Sequence, residues 1–199
     1  MSFPFEFLLV SYLCGSLPSS YIVGKVFFKE DLRTLGSGNL GTTNVLRMFG
    51  KKAASVVLVL DIMKGFLPTW YISERMGFPD AGHWVVLCGL VAIIGHIYSC
   101  WVRFSGGKGV ATSCGVFLAL TPLAAFCAIV VWFIVFSIKR TASIASLACG
   151  ILFPVAVYYD PNNQHPILIW FSLGLSVLIL WTHRSNIVRI IAGKENPAL

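Results

Sequence analysis

A run of glycines and small polar residues at positions 36–47 has the composition of an anion-binding segment. Glycine permits positive φ angles and close backbone approach, and Ser, Thr and Asn supply short hydrogen-bond donors. Successive exposed N–H groups in such a segment form a concavity that fits a phosphate or a carboxylate. An ordinary turn-rich connector explains the same composition, so the residues alone leave both interpretations open.

A second glycine-rich segment, Phe-Ser-Gly-Gly-Lys-Gly at positions 104–109, is predicted to open a short helix. The free N–H groups and the dipole of a helix N-terminus favour an anion, and Lys108 adds a full positive charge. The segment is not a nucleotide-binding P-loop, because Val102 stands where that motif has glycine and Gly109 stands where it has Ser or Thr. The alternative is a flexible turn at a membrane surface, with the lysine side chain reaching to water.

Five further polar residues are candidates for function, each with a structural alternative. His96 lies within an apolar segment, where histidines usually face an interior cavity, and a buried histidine bonded to a carbonyl is the alternative. His183 ends the last apolar segment, where it either acts in a site or interacts with the helix dipole. Asp61 and Lys64 share one helix face and form either a structural or a catalytic pair. Arg33 precedes the first glycine-rich segment and binds either the same anion or lipid headgroups.

The composition is that of a polytopic membrane protein. Of 199 residues, 57% are hydrophobic and 12% are charged, whereas about a quarter of the residues in soluble domains are charged. The net charge is +7, and the basic residues gather at the ends of apolar blocks, as the positive-inside rule predicts for cytoplasmic loops. Nucleic-acid binding does not explain this distribution, so no nucleic-acid partner is predicted. We expect one integral-membrane domain, residues 1–199, in contact with the lipid bilayer.

The apolar blocks predict an all-α protein with seven transmembrane helices, its N-terminus outside and its C-terminus in the cytoplasm. The block at 110–138 has basic residues at both ends, so it must cross the membrane an even number of times. We expect two short helices around Thr121-Pro122 rather than a re-entrant hairpin, because non-helical backbone is difficult to expose to lipid. The other predicted spans are 4–24, 53–72, 84–101, 143–158 and 167–182.

Several reaction types lack the residues that they need. No pair of carboxylates lies near the predicted cytoplasmic segments, no Gly-x-Ser-x-Gly or HxxxxD motif occurs, and no metal ligands have usable spacing. The remaining polar segments, including Ser143 and Ser146, are predicted to share one membrane face. They favour chemistry on anions in which the substrates supply the reactive groups, and they predict neither a metal nor a cofactor.

Three segments resemble the motifs of one family, the bacterial membrane acyl-phosphate–glycerol-3-phosphate acyltransferases of the PlsY type. Residues 36–47 resemble its first motif, GSGNxGATNxxR, with Thr42 in place of the usual alanine. Residues 96–112 resemble the second, with FxGGKGVAT intact and Ser99 in place of the usual proline. A C-terminal set of residues resembles the third motif: His183, Asn186, Ile187, Arg189, Gly193 and Glu195. Thr182, just before this set, replaces a common arginine. Two shorter patterns also resemble family features, Asp61-x-x-Lys64-Gly65 and Ser143-x-x-Ser146.

The resemblance implies a seven-helix enzyme of the bacterial cytoplasmic (inner) membrane with its active site facing the cytoplasm. Its expected reaction moves a fatty acyl group from acyl phosphate to the 1-hydroxyl of glycerol 3-phosphate. The products are lysophosphatidic acid and phosphate, in the entry step of phospholipid biosynthesis. Acyl-CoA is not the expected donor, no metal is expected, and the peripheral enzyme that makes acyl phosphate is a candidate partner. The alternative is a transporter of small phosphorylated anions, although the inverted repeats common in transporters are not visible.

The resemblance also implies which residues act. Residues 36–47 are expected to form one wall of a two-phosphate site and are assigned the acyl-phosphate headgroup, although which segment holds which phosphate stays open. A substrate phosphate is expected to accept the hydroxyl proton. The residues expected to hold glycerol 3-phosphate are Arg47, Lys108, His183 and Asn186. The residues expected to act in catalysis are Ser37, Asn39, Lys108, His183 and Asn186. The residues expected to bind substrate are Arg33, Gly36, Gly38, Gly41, Thr43, Asn44, Arg47, His96, Gly106, Gly107, Gly109, Ser143 and Arg189.

Overall fold

The computed structural model describes residues 5–78, 80, 82–161 and 165–197, which form helices and connecting turns without a β-strand. The expected all-α class is confirmed for these residues. Residue 4 of the first predicted span and parts of the two predicted outside loops (79, 81 and 162–164) lie outside the described residues. The helices are α1 (Phe5–Ser16), α2 (Ser19–Val23), α3 (Thr42–Met76), α4 (Gly82–Ile97), α5 (Val110–Leu120), α6 (Pro122–Lys139), α7 (Ala142–Tyr158), α8 (Ile167–Thr182) and α9 (Arg184–Ile191).

The chain divides into two compact units between Ala119 and Leu120. In the first unit, helices approach each other through glycines. A Cβ atom on Gly15 of α1 would overlap the backbone carbonyl of a residue in α4, and one on Gly65 of α3 would overlap a carbonyl of α5. Lipid supplies no hydrophobic force between helices, so close backbone approach of this kind provides the packing energy.

The first predicted span is broken rather than continuous. Helix α1 ends at Ser16 and α2 begins at Ser19, and the two axes bend by 41°. Pro18 lies at the break. Proline interrupts a helix here because it has no backbone N–H to donate and its ring clashes with the preceding turn. After α2 the chain continues as a π-helix, Gly24–Phe28, and then turns at Lys29 in the left-handed conformation (φ 60°).

Helix α3 begins earlier than the span predicted at 53–72. It contains 35 residues, starts at Thr42, and includes Gly50 with φ 83° and ψ −179°. This backbone conformation is essentially restricted to glycine, so Gly50 interrupts the helix and divides it into a short first arm and a long second arm. Residues 42–47 of the first glycine-rich segment are therefore helical rather than part of a turn-rich connector.

The second unit contains a helix break at the predicted place. Helix α5 ends just before Thr121 and α6 begins at Pro122, which confirms a break there within the block at 110–138. Only α5 is short, with 11 residues, whereas α6 has 18, so the expectation of two short helices is wrong for α6. The carboxylate of buried Asp160 accepts a hydrogen bond from the Ala124 N–H (2.9 Å) and so satisfies a first-turn donor of α6.

Three described helical segments are long and apolar enough to cross a membrane: Thr42–Met76, Gly82–Val102 and Pro122–Lys139. The number rises to five if each bent pair forms one span, the pairs being α1 with the segment that ends at Phe28 and α8 with α9. Helices α5 and α7 are apolar but shorter, with 11 and 17 residues. The seven spans, the sidedness of the termini and the single domain stay predictions.

Candidate active site

The first glycine-rich segment forms a tight loop, residues 36–41, that leads directly into α3. Gly36 and Gly38 adopt left-handed conformations, with φ of 56° and 69°, that favour glycine. Gly41 is extended and precedes Thr42, the first residue of α3. The positive end of the helix dipole and the first-turn N–H groups of α3 therefore lie at the end of this loop, an arrangement that favours an anion.

Asn44 holds the backbone of this loop from the first turn of α3. Its side-chain Oδ1 accepts a hydrogen bond from the Ser37 N–H (3.1 Å). Its Nδ2 donates to the carbonyls of Leu35 (3.0 Å) and Asn39 (3.1 Å). Asn44 is buried, so these bonds are shielded from water. The amide bridges both ends of the loop and fixes the path of the backbone between them.

Gly106 and Gly107 cap the C-terminus of α4. The Gly106 N–H donates to the Ile97 carbonyl (2.9 Å), and the Gly107 N–H donates to the His96 carbonyl (3.1 Å). The last carbonyls of a helix have no partner within the helix, so these bonds satisfy two of them. Both N–H groups are therefore used within the protein, and they are not available to an anion.

His96 is buried against the same glycines. A Cβ atom on Gly107 would overlap its imidazole ring, and a Cβ atom on Gly106 would overlap its carbonyl oxygen. The ring Nδ1 lies 3.7 Å from Oδ1 of Asp61. His96 therefore fixes how closely the glycines approach α4, and only residues without a side chain fit at these two positions.

The two glycine-rich segments meet in the first unit. The Asn39 side-chain Nδ2 donates to the Gly106 carbonyl at 3.4 Å. The half-buried Lys108 follows, and Gly109 then turns the chain into α5 in a left-handed conformation (φ 85°). We call residues 36–41, the first turn of α3, His96 and residues 106–109 the loop cluster. Of the other predicted residues, Thr43 is half-buried within that first turn and Arg47 is half-buried in the second turn of α3.

Arg33 forms an ion pair just before the loop cluster. Its Nε and Nη2 donate to the two carboxylate oxygens of Asp31 (3.0 and 2.8 Å), and its guanidinium carbon lies 4.9 Å from the ring centroid of Tyr21. The side-chain hydrogen bond from Arg33 lowers the pKa of Asp31 to about 2. The carboxylate is therefore ionised at neutral pH, and the charge of Arg33 is paired within the protein.

In the second unit, one carboxylate gathers three of the predicted site residues. Glu195 accepts hydrogen bonds from the Ser143 hydroxyl (2.8 Å), the Asn186 amide (2.5 Å) and the Arg189 Nε (2.7 Å). Ser143 comes from α7, Asn186 and Arg189 come from α9, and Glu195 lies in the chain that follows α9. We call these four residues the carboxylate cluster. Glu195 was not among the predicted site residues, although its place in the third motif was the signal that could have identified it.

The electrostatics of Glu195 reflect two opposing effects. Burial by itself raises the pKa of a carboxyl group. The hydrogen bonds from Asn186, Ser143 and Arg189, together with the charge of Arg189, outweigh that effect and bring the pKa of Glu195 below its ordinary value of 4.5. The carboxylate is thus the form that the cluster stabilises, and it holds the three donors in fixed directions.

His183 lies at the bend between α8 and α9, where the axes turn by 61°. Its ring is 3% exposed, and its Nδ1 lies 2.9 Å from the Ile179 carbonyl. A proton on Nδ1 donates to this carbonyl, which makes Nε2 the hydrogen-bond acceptor of the ring. The dipole interaction predicted as the alternative for His183 therefore takes the form of a hydrogen bond to a carbonyl of the last turn.

Among the described residues, no three His, Cys, Asp or Glu side chains lie close enough to share a metal ion. The donors in the loop cluster are amides, a lysine and helix N–H groups, and those in the carboxylate cluster are a hydroxyl, an amide and a guanidinium. Such groups donate hydrogen bonds to anions. The arrangement is suited to holding phosphate or carboxylate groups rather than to generating a nucleophile on the protein.

Comparisons with known proteins agree over almost the whole chain. The family model described as glycerol-3-phosphate acyltransferase matches residues 5–193. A glycerol-3-phosphate acyltransferase of Endomicrobium trichonymphae is 37% identical over 190 residues, which cover 96% of this chain and 93% of that protein. One from Staphylococcus haemolyticus is 40% identical over 196 residues, with 94% of each chain covered.

Two solved structures are also similar, both of the integral membrane glycerol 3-phosphate acyltransferase PlsY. The glycerol 3-phosphate form matches with a TM-score of 0.88 and 34% identity. The lysophosphatidic acid form matches with a TM-score of 0.85 and 33% identity. Each match covers 97% of this chain and 94% of the other. The chain thus has the fold of an integral membrane protein.

Proposed function

The chain belongs to the glycerol-3-phosphate acyltransferase family, and on this premise we propose that it transfers a fatty acyl group from acyl phosphate to the 1-hydroxyl of glycerol 3-phosphate. The products are lysophosphatidic acid and inorganic phosphate. The observation that carries the proposal is the family match over residues 5–193, which includes both glycine-rich segments of the loop cluster. Those segments present amide, ammonium and helix N–H donors, which are suited to phosphate-bearing substrates.

The reaction requires no nucleophile from the protein. The hydroxyl oxygen of glycerol 3-phosphate attacks the carbonyl carbon of acyl phosphate, and the bond between that carbon and the phosphate oxygen breaks. The phosphate leaves with the electron pair, and a substrate phosphate accepts the hydroxyl proton. Acyl phosphate is a mixed anhydride and is already activated, so holding the two reactants together is the main requirement. Well-oriented reactants can gain roughly 7–11 kcal/mol in this way.

For the first unit, we propose that the loop at residues 36–41 and the N-terminus of α3 hold the acyl-phosphate headgroup. Ser37, Asn39 and Lys108 then stabilise the charge that develops on the carbonyl oxygen and on the departing phosphate. Asn44 acts by fixing the loop, because its amide groups bond to the loop backbone. We assign Arg33 a positioning role for the same reason, since its charge is paired with Asp31, and we assign Arg47 to a substrate phosphate.

For the second unit, we propose that Asn186 and His183 bind substrate, and that Ser143 and Arg189 help to hold the surrounding donors. Glu195 orients this set without reacting, because its oxygens accept bonds from three of these residues. His183 accepts a hydrogen bond through Nε2 when its Nδ1 proton is engaged by the Ile179 carbonyl. A neutral histidine of this kind is able to accept from a substrate hydroxyl.

We propose the membrane arrangement from the distribution of charge. Seven spans, with the N-terminus outside and the C-terminus inside, put most basic segments on the cytoplasmic side of a bacterial inner membrane. The site then faces the cytoplasm, where a peripheral enzyme that makes acyl phosphate is able to deliver its product. Impermeant thiol labelling of intact cells tests this arrangement, after the native cysteines other than Cys100 have been replaced. Tyr159→Cys, at an exposed position in a predicted outside loop, should be labelled, and Cys100, at the predicted cytoplasmic end of its span, should not.

The donor is tested by giving the purified protein glycerol 3-phosphate together with either palmitoyl phosphate or palmitoyl-CoA. We expect lysophosphatidic acid and one equivalent of phosphate from palmitoyl phosphate, and no product from palmitoyl-CoA. Equal rates with the two donors would overturn the acyl-phosphate assignment. Absence of product from both donors would overturn the proposed function.

Lys108→Ala tests the site itself. We expect turnover to fall by at least about 10²-fold, because a full positive charge at the site is lost from the transition state. Lys139→Ala is the matched control. Lys139 is an exposed lysine at the end of α6, and its substitution removes the same charge from the protein. Both variants are compared at equal membrane-inserted amounts, measured by immunoblot. Full activity of Lys108→Ala would contradict the assignment.

A further inference from the structure

The break between α1 and α2 leaves a backbone carbonyl that needs a partner inside the apolar region. Pro18 has no N–H to donate, and the helical hydrogen-bond pattern stops at this point. The Leu17 carbonyl accepts a hydrogen bond from the Lys64 ammonium of α3 at 2.8 Å. It also accepts from the Ser19 N–H at 3.0 Å. Lys64 therefore acts as a partner for a helix break that lipid could not satisfy.

The charge of Lys64 is balanced by Asp61, one turn earlier on the same helix. The two side chains form an ion pair at 2.8 Å. Asp61 is 2% exposed and Lys64 is 8% exposed. The same carboxylate oxygen, Oδ1, accepts a hydrogen bond from the Ser19 hydroxyl at 2.9 Å. The pair thus binds the residue before the break and the residue after it, which fixes the start of α2 relative to α3.

This pair connects to both parts of the loop cluster. Ser20, the residue after Ser19, is 1% exposed, and its hydroxyl donates to the Leu40 carbonyl at 2.8 Å. On the other side, Oδ1 of Asp61 lies 3.7 Å from the His96 ring, against which Gly107 packs. The start of α2 therefore contacts one glycine-rich segment, and the carboxylate lies beside the histidine that supports the other.

We propose that Asp61 and Lys64 are positioning residues for the acyl transfer, which set the spacing of the two glycine-rich segments through Ser19, Ser20 and His96. The pair is assigned no substrate contact, because both side chains are buried and Oδ1 of Asp61 and Nζ of Lys64 are bonded to the protein. The inference rests on the proposed function and adds to it a set of residues that determines the rate. A geometry error of about 1 Å at a reacting centre lowers rates by about 10²-fold.

The test uses purified protein in detergent and measures kcat, KM for both substrates and the thermal unfolding temperature. Asp61→Asn and Lys64→Met each remove one charge with little change in size, and the double variant removes both. Thr69→Val is the matched control. Thr69 lies on α3, is 1% exposed, and uses its hydroxyl only for the Gly65 carbonyl of its own helix (2.8 Å) among the recorded bonds.

We expect both single variants to lower kcat by about 10²-fold per folded molecule, with a smaller change in KM, and the double variant to lose no more than the worse single variant. Lys64→Arg, which keeps the charge and a donor, is expected to recover at least tenfold of the activity lost in Lys64→Met. Thr69→Val is expected to unfold at a lower temperature with kcat unchanged. Unchanged kcat in folded Asp61→Asn and Lys64→Met would show a purely structural pair and overturn the inference.

Ser20→Ala keeps the proposal testable if the charge variants do not fold. It removes only the bond to the Leu40 carbonyl and is expected to lower kcat by about tenfold with little change in unfolding temperature. A wild-type kcat in Ser20→Ala would show that the bond from Ser20 to the Leu40 carbonyl does not affect the acyl transfer, and would overturn the inference. Production of lysophosphatidic acid by the wild type is measured first, so that failure of the proposed function is distinguished from failure of this inference.

Discussion

The loop cluster and the carboxylate cluster are held in place by different kinds of interaction. In the loop cluster, glycines pack against backbone and against a histidine ring, and backbone groups or neutral amides make the hydrogen bonds. In the carboxylate cluster, one ionised side chain accepts bonds from a hydroxyl, an amide and a guanidinium. The first is fixed by shape and the second by charge.

This difference determines what each cluster tolerates. A site fixed by shape has no room for added atoms, and the glycines and amides that fix its backbone carry no charge. A site fixed by one carboxylate accepts changes in volume at its edge, but it depends on the charge of that group. Perturbations of volume and of charge should therefore separate the two clusters.

Gly107→Ala is expected to have the largest effect. Its Cβ atom would overlap the His96 ring, which is buried and cannot move away freely. We expect kcat/KM to fall by more than about 10²-fold through displacement of the segment that carries Lys108. Gly174→Ala in α8 is the control, since no heavy atom lies within 4 Å of its added Cβ, and it should be neutral or slightly stabilising. Comparable losses of kcat/KM in Gly107→Ala and Gly174→Ala would contradict a specific role for the packing of Gly107 against His96.

Glu195→Gln is expected to have an intermediate effect. The change keeps the size but removes the charge and introduces an NH₂ group among three donors. Hydrogen bonds to charged groups contribute about 1.5–3 kcal/mol each. Without the carboxylate, the donors of Ser143, Asn186 and Arg189 are less well oriented, and kcat/KM should fall by about 10- to 100-fold. Glu74→Gln, an exposed glutamate near the end of α3, is the control and should retain full activity. A fully active Glu195→Gln would mean that the charge does not organise the cluster.

The pH dependence of stability separates the clusters further. The pKa of Glu195 is lower in the folded protein than its ordinary value of 4.5, so its stabilising contribution is complete above about pH 4.5. That contribution is lost as the pH falls through the folded-state value. The difference in thermal unfolding temperature between the wild type and Glu195→Gln should be constant from pH 8 to pH 5 and shrink below pH 4.5. Gly107→Ala leaves Glu195 unchanged, so the titration of that carboxylate should not alter the difference between the wild type and this variant.

Asp31→Asn is expected to have the smallest effect. Asp31 is at the surface, and exposed ion pairs contribute little and are screened by salt. We expect a change in kcat/KM of less than about twofold, which disappears as salt is raised from 50 to 500 mM. Asn retains the oxygen that accepts from the Arg33 N–H at the start of the short 3₁₀ turn. A marked decrease in KM for glycerol 3-phosphate would instead indicate that freed Arg33 binds the substrate phosphate.

The helices and the break at Thr121-Pro122 could be predicted from the sequence, because apolar blocks and proline act locally. The spans predicted at 143–158 and 167–182 agree with α7 and α8 to within one residue. The break at Pro18 is also local but was not predicted, because residues 4–24 together have the length of one continuous span. The Leu17 carbonyl at this break is bonded by Lys64, 47 residues away, and no local pattern shows such a partner.

The candidate residues were found by motif, but their roles depend on contacts between distant parts of the chain. Asn44 was predicted to bind substrate, and its amide is bonded to the loop backbone instead of lying open; substrate contact by this residue stays a prediction. Glu195 and Ser143 are 52 residues apart. The third motif includes Glu195, but a single sequence does not show that its carboxylate joins α7 to α9.

At Gly50, the backbone conformation restricts the handedness of the residue rather than its size. No heavy atom lies within 4 Å of a Cβ atom built at this position, so a side chain would have room there. Its φ of 83° and ψ of −179° are nonetheless the mirror image of an extended conformation that any L-amino acid adopts easily. D-alanine, introduced by chemical synthesis, would therefore follow the backbone at this position without strain, whereas L-alanine would not. The two arms of α3 are joined at an α-carbon whose preferred stereochemistry is that of a D-residue, and among the genetically encoded residues only glycine meets it.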